Sequence, residues 1–159
     1  MIKAVLLGLT NSGKSTTAAI LKAKGWPVVE IDDIAQARNS DVWPESEALL
    51  DRLFKAITEE ILLRENLVFV TSFLEIADVI RFKQAGFKIL ELHASYEELK
   101  RRKIKRDGYP KDAFERFDRN YANYQRIMSE VNHYISLSLD TTLLTSEDLA
   151  KMIEVELSR

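Results

Sequence analysis

Gly8-Leu9-Thr10-Asn11-Ser12-Gly13-Lys14-Ser15 fits the pattern G-x-x-x-x-G-K-[ST] at every position. It lies between an apolar run, Ile2 to Leu7, and a helical one, Lys14 to Lys24. Glycines in such a stretch let the backbone fold around an anion with successive N–H groups pointing inward, and the helix that follows adds its positive end. The spacing predicts a phosphate cradle built from Gly8, Thr10, Asn11, Ser12, Gly13, Lys14, Ser15 and Thr16. Lys14 is expected to neutralise the β- and γ-phosphates of a nucleoside triphosphate, ATP being the first choice, and the Ser15 hydroxyl to supply one ligand of Mg²⁺.

Outward from this loop, apolar runs alternate with longer helical stretches, the pattern of an α/β protein with a parallel sheet. Strands are predicted at Ile2–Leu7, Val28–Ile31, Leu67–Val70, Phe87–Leu92 and Tyr134–Leu139. Helices are predicted from Lys14 to Lys24, stopped by Gly25, and from Pro44 to about Arg64. Others run from about Leu74 to Ala85, from a Ser95 cap over Tyr96 to about Arg106, from Pro110 to roughly Glu130, and from Ser146 to Leu157. No linker or repeat interrupts the series, so residues 1–159 are expected to form one domain.

Composition narrows the partners. The 159 residues are 46% hydrophobic and 30% charged, which is enough apolar material for a core. The net charge of −2 provides no global attraction to nucleic acid or an anionic membrane, so any affinity for phosphate must be local. The absence of cysteine excludes disulfides, thiolate zinc sites and Cys nucleophiles. No apolar stretch near the start approaches a membrane span, and no basic segment precedes one. A cytoplasmic protein is expected.

Other features say which chemistry the cradle serves. Leu67–Val70 ends in Thr71-Ser72, where a motor ATPase places an acid, and no Asn-Lys-x-Asp for reading guanine is present. Acid stands instead at the end of the second strand, Glu30-Ile31-Asp32-Asp33, where ligands gather in doubly wound sheets. Alternation along a strand sends Glu30 and Asp32 to one side. One carboxylate can then orient or deprotonate an acceptor hydroxyl while the other holds Mg²⁺ through water. Asp32 is the candidate for the metal and Glu30 for the acceptor; Asp32 or Asp33 can equally cap the segment Ile34–Arg38, and Asp33 is read as that cap. Between Lys100 and Arg106 the chain carries six cations. A charge run on a helix is ordinarily a solvated face. Arg102 and Arg106, however, stand i,i+4 and can close over phosphates, with Gly108 and Pro110 as the hinge.

These residues resemble the small P-loop kinases of nucleosides and nucleotides, most closely dephospho-coenzyme A kinase. Val28-Val29-Glu30-Ile31-Asp32-Asp33-Ile34-Ala35 is similar to that family's second-strand segment, Arg102 to Gly108 to its lid signature, and Ala113 to Arg116 to the helix that follows. The resemblance implies a three-layer α/β/α P-loop kinase fold with a five-stranded parallel sheet and a small helical lid at about residues 96–120. It also implies catalysis by Lys14, Glu30, Asp32, Arg102 and Arg106, with ATP and Mg²⁺ as cofactors and a small nucleotide-like acceptor. Two departures are visible. The family has Asp where this chain has Glu30, and the segment at about 39–66 holds one long helix where the family has a larger insertion with a His-Pro pair. Acceptor recognition falls to Arg38, Trp43 and Arg52. A nucleotide-binding regulatory module and an RNA or DNA end kinase are the competing readings. Tyr121, Tyr124, His93 and His133 are read as packing or surface residues.

Overall fold

Parallel strands buried on both faces carry near-continuous apolar runs, because neither face meets water. Each strand here divides its run between two cores. In β1 (Lys3–Leu7), Val5 and Leu7 join one core while Ala4 and Leu6 join the other. In β3 (Leu67–Thr71), Leu67 and Phe69 oppose Val68 and Val70 in the same way. The computed structural model describes residues 1–72 and 74–159. Its sheet has five parallel strands in the order β2-β3-β1-β4-β5, with β2 at Val28–Glu30, β4 at Lys88–His93 and β5 at Ile135–Asp140.

Helices α1 (Lys14–Ala23) and α7 (Ser146–Leu157) cover one face through Ala18, Leu21, Leu149, Ala150 and Ile153. On the other face lie α2 (Ile31–Arg38), α3 (Glu47–Leu62), α4 (Ile76–Gln84) and, after α5 (Tyr96–Asp107), α6 (Glu115–Val131). Three layers result, as the resemblance implied. All strands run the same way, so their carboxyl ends share one edge. The phosphate loop, residues 30–33 and the segments after β4 and β5 therefore come together there.

Several boundaries differ from expectation, each for a local reason. The second strand stops at Glu30, which is the N-cap of α2, so Asp32 belongs to a first helical turn and strand alternation does not apply to it. Asp33 also lies inside that turn and caps nothing, although both carboxylates favour the positive end of the helix. Helix α3 begins at Glu47 instead of Pro44, because the Ser46 hydroxyl accepts from the Leu49 N–H at 3.1 Å. Helix α6 begins at Glu115 instead of Pro110. Ala113 and Phe114 take positive φ of 51° and 70°, and Asp112 accepts from the N–H groups of Phe114 and Arg116. The Ser95 cap over α5 is as expected, accepting from Glu98 N–H at 3.2 Å.

Residues 96–121 are packed by aromatic rings. Tyr96 meets Phe117 and Tyr121 edge-on, and buried Phe114 meets Tyr109 and Phe117. Such pairs add to area burial because ring edges are positive and faces negative. Lys100 lies 4.4 Å from the Phe114 ring centre. Among the described residues no helix is long and apolar enough to cross a membrane.

Candidate active site

The loop between β1 and α1 is shaped by two glycines. A Cβ on Gly8 would come within 2.5 Å of both the Leu92 carbonyl oxygen and the Ser12 Oγ, so the chain can pass β4 only without a side chain there. Gly13 is the N-cap of α1 at φ 96°, a left-handed conformation open to glycine at little cost. No side chain caps α1 and no acid lies in its first turn, which leaves the N–H groups at its head to an external anion.

Lys14 opens that helix and is 8% exposed. Its ammonium donates to the Leu9 carbonyl at 2.9 Å, and no ion pair neutralises it among the described residues. Burial brings its pKa down to about 8, against the attraction of Asp32 and Glu30. The two carboxylates are held above their ordinary range by burial. Glu30 is opposed in this by the neighbouring Ser15 hydroxyl, and Asp32 by the charge of Lys14. Glu30, Asp32, Ser15 and Lys14 thus form one electrostatic group, although the second carboxylate arrives on a helix. Among the described residues no cluster of three or more His, Cys, Asp or Glu could cage a metal ion. The donor set of one hydroxyl and one or two carboxylates is that of a cation which keeps its waters and shares phosphate oxygens, as Mg²⁺ does.

A recess of about 410 Å³ lies over the loop, lined by Thr10, Gly13, Lys14, Ser15, Arg102 and Arg106 among others. The two arginines differ. Arg102 is fastened to the protein: its guanidinium donates to the Asn11 carbonyl (3.0 Å), to the Thr141 hydroxyl and carbonyl (both 2.9 Å) and to Glu98 (2.9 Å). It ties the phosphate loop to the segment after β5. Arg106 forks onto exposed Asp107 and keeps its side chain 57% exposed. Three of the other four cations of α5 are engaged locally, Arg101 with Glu98, Lys103 with Asp107 and Lys100 over the Phe114 ring. The run is not a continuous cationic track.

Arg102→Lys keeps the charge and loses the planar fork that serves two partners at once. Amide hydrogen exchange at residues 11–13 and 141–142 is expected to accelerate about tenfold, corresponding to about one lost hydrogen bond. Unchanged exchange would show that the bracket carries no load.

Arg38, Trp43 and Arg52 are not drawn into this group. Arg38 pairs with Glu60 through both guanidinium nitrogens, Trp43 is 46% exposed and Arg52 is exposed on α3. His133 stacks on Tyr134 with ring centres 4.0 Å apart. Tyr124, read as a packing residue, has a polar role: its hydroxyl donates to the buried Glu91 carboxylate at 2.9 Å. His93, read as a surface or core residue, lines a cavity beside it. Glu91 and Thr141 escaped notice altogether. For Glu91 a signal existed, a charge interrupting the apolar run Ile89-Leu90-Glu91-Leu92 in a strand buried on both faces; for Thr141 there was none.

No family model matches the chain, and no curated protein matches it. Solved structures do. Shikimate kinase from Acinetobacter baumannii, in complex with shikimate, superposes with a TM-score of 0.74 at 18% identity, covering 99% of this chain and 94% of that one. A gluconokinase from Sinorhizobium meliloti 1021 gives 0.67 at 20% identity, covering 99% and 92%. The YorR protein of Bacillus subtilis, in complex with phosphorylated GDP, gives 0.64 at 19% identity, covering 98% and 96%. With the sheet order, the loop after β1 and the uncapped head of α1 in place, this chain has the P-loop kinase fold.

Proposed function

We propose that the protein is an ATP-dependent small-molecule kinase, transferring the γ-phosphoryl group to a hydroxyl or phosphate of a nucleotide-like acceptor. The observation that carries this reading is Lys14, a buried and unpaired cation at the uncapped head of α1, facing Glu30 and Asp32. A buried cation without a direct ion pair is costly, and a polyphosphate is the partner that its surroundings admit. The fold shared with kinases of shikimate and gluconate supports a small acceptor. One neighbour holding phosphorylated GDP supports a nucleotide-like one. The likeness to dephospho-coenzyme A kinase rests on the sequence segments alone.

In this reading the loop N–H groups and Lys14 bind the β- and γ-phosphates, and Arg106 swings from Asp107 toward the transferring group. Arg102 positions the loop, which modifies the expectation that both arginines close as free cations. The Ser15 hydroxyl, with Glu30 behind it, would hold Mg²⁺, which when bound shields phosphate charge during transfer. The nearness of the Ser15 hydroxyl to Glu30 favours an exchange of the roles first expected: Glu30 serves the metal side. Asp32 accepts the acceptor's proton as the acceptor oxygen bonds to phosphorus and the bond to the β,γ-bridging oxygen breaks, releasing ADP. Burial, which raises the Asp32 pKa, makes it a stronger base than a solvated aspartate. Purified protein incubated with γ-labelled ATP and a panel of nucleosides, nucleotides, dephospho-coenzyme A, shikimate and gluconate tests the proposal. A labelled product is expected; tight ATP binding with no product from any acceptor would favour a regulatory module.

Lys14 also sets a pH dependence. Its pKa is lowered from 10.5 to about 8 in the folded chain, so between those values the unfolded chain holds more protons and this group's contribution to stability rises with pH. ATP binding behaves oppositely, because it requires the cation. Affinity is expected to fall by up to about tenfold per pH unit above 8, with proton uptake approaching one per ATP bound. Calorimetry in buffers of different ionisation enthalpy measures both; affinity flat from pH 7 to 9.5 would remove Lys14 from the phosphate site.

A further inference from the structure

A second and larger cavity, of about 740 Å³, lies between β4, β5, α5 and α6. It shares the phosphate loop as a wall with the recess described above, through Leu9 and Ser12 here and Thr10, Asn11 and Gly13 there. The two are opposite in charge. The recess over the loop is lined by Lys14, Arg102 and Arg106 and by no carboxylate. Glu91 and Asp140 line the larger cavity, which has neither Lys nor Arg on its wall.

Glu91 stands on β4, between β1 and β5, and is 8% exposed. It accepts from the Tyr124 hydroxyl at 2.9 Å and the Ser138 hydroxyl at 2.8 Å, and it enters no ion pair among the described residues. Burial and the charge of Glu91 push the Tyr124 hydroxyl well above its ordinary range, so Tyr124 stays a donor. A carboxylate has about four lone-pair sites. Two neutral hydroxyls fill half of them and leave the charge uncompensated, in an environment where an unpaired charge is costly. On the phosphate-loop wall the Ser12 hydroxyl is likewise buried and has no hydrogen-bond partner. Leu99, Met128 and Ile135 supply an apolar part of the remaining wall, and Gln125, Asn132 and Asp140 a polar part. A recess of several hundred cubic ångströms that combines apolar walls with convergent polar groups has the character of a small-molecule site.

We propose that this cavity is a second ligand site, distinct from the phosphate cradle, that takes a small organic cation: an ammonium or guanidinium group set against Glu91 and carried on an apolar or aromatic body. The volume and the apolar side chains Leu99, Met128 and Ile135 favour an organic cation over a bare metal ion, and no cluster of three or more His, Cys, Asp or Glu among the described residues could cage one. The site does not depend on phosphoryl transfer, and its occupation is measurable without ATP.

The test is a ¹H–¹⁵N NMR titration of the full chain with benzylamine, using benzyl alcohol as the uncharged control of the same shape. Benzylamine is expected to give saturable shifts at the amides of Glu91, Asn132 and Ser138 in the millimolar range, with benzyl alcohol at least about tenfold weaker. Glu91→Gln should erase the preference for the amine. Ser129→Trp, at an exposed position of α6 on the cavity rim, should block binding with Glu91 intact, so the proposal remains testable even if Glu91→Gln does not fold. Lys14→Ala should leave benzylamine binding unchanged. Equal affinity for amine and alcohol, no saturable shift at these amides, persistence in Ser129→Trp or loss in Lys14→Ala would each overturn the proposal.

Discussion

Lys14→Ala is expected to lower phosphoryl transfer by about 10³-fold or more, because it removes a preorganised cation from the place where charge concentrates on the transferring group. The magnitude follows from burial. In water such a cation adds little, but this one is 8% exposed and its surroundings screen it poorly. Lys14→Met, which keeps the aliphatic stem, separates chemistry from folding. Because burial already disfavours the Lys14 cation in the folded chain, this variant is expected to melt at or above the temperature of the parent while losing transfer to the same extent. Turnover with γ-labelled ATP and a thermal melt decide the matter. A Lys14→Ala variant retaining activity within tenfold of the parent would refute the phosphate-loop mechanism.

Asp32→Asn carries the next largest effect. Loss of a general base costs about 10²–10⁴ in kcat, with KM for ATP moving only a few-fold, since the donor does not lean on that carboxylate. Glu30→Gln should behave differently. Its carboxylate lies beside the Ser15 hydroxyl, so the substitution should raise the Mg²⁺ concentration needed for half-maximal rate by about tenfold, with a smaller loss of kcat at saturating metal. Steady-state kinetics at several Mg²⁺ concentrations distinguish the two. The reverse pattern, a metal defect from Asp32→Asn and a pure kcat defect from Glu30→Gln, would restore the roles first expected from the second-strand segment.

Those roles illustrate what a sequence does and does not carry. The phosphate loop is contiguous, and its glycines answer local demands, a close pass by the Leu92 carbonyl and a left-handed N-cap, so eight neighbouring residues declare it. Strand positions were legible for a related reason: a parallel sheet covered on both faces writes unbroken apolar runs into the chain. Helix starts were less so. Pro44 and Pro110 are permissive for a first turn, but the hydroxyl of Ser46 and the carboxylate of Asp112 make the bonds that decide where each begins. Glu30 and Asp32 were paired for the wrong reason, since the strand ends between them, yet they still face Lys14 because the turn into α2 points its first residues at the same sheet edge.

From sequence alone came the α/β class, the five strands, the anion cradle and the carboxylates beside it, all of which depend on residues near one another along the chain. Tertiary structure alone decided that Arg102 braces Asn11 to Thr141, 91 and 39 residues away, and that Tyr124 and Ser138 close on Glu91 across 33 and 47. Such pairings arise when strands take their register, as Glu91 does opposite Ser138, and when helices dock on the sheet. Both are governed by the summed burial of many side chains, so no local pattern announces which polar groups will meet.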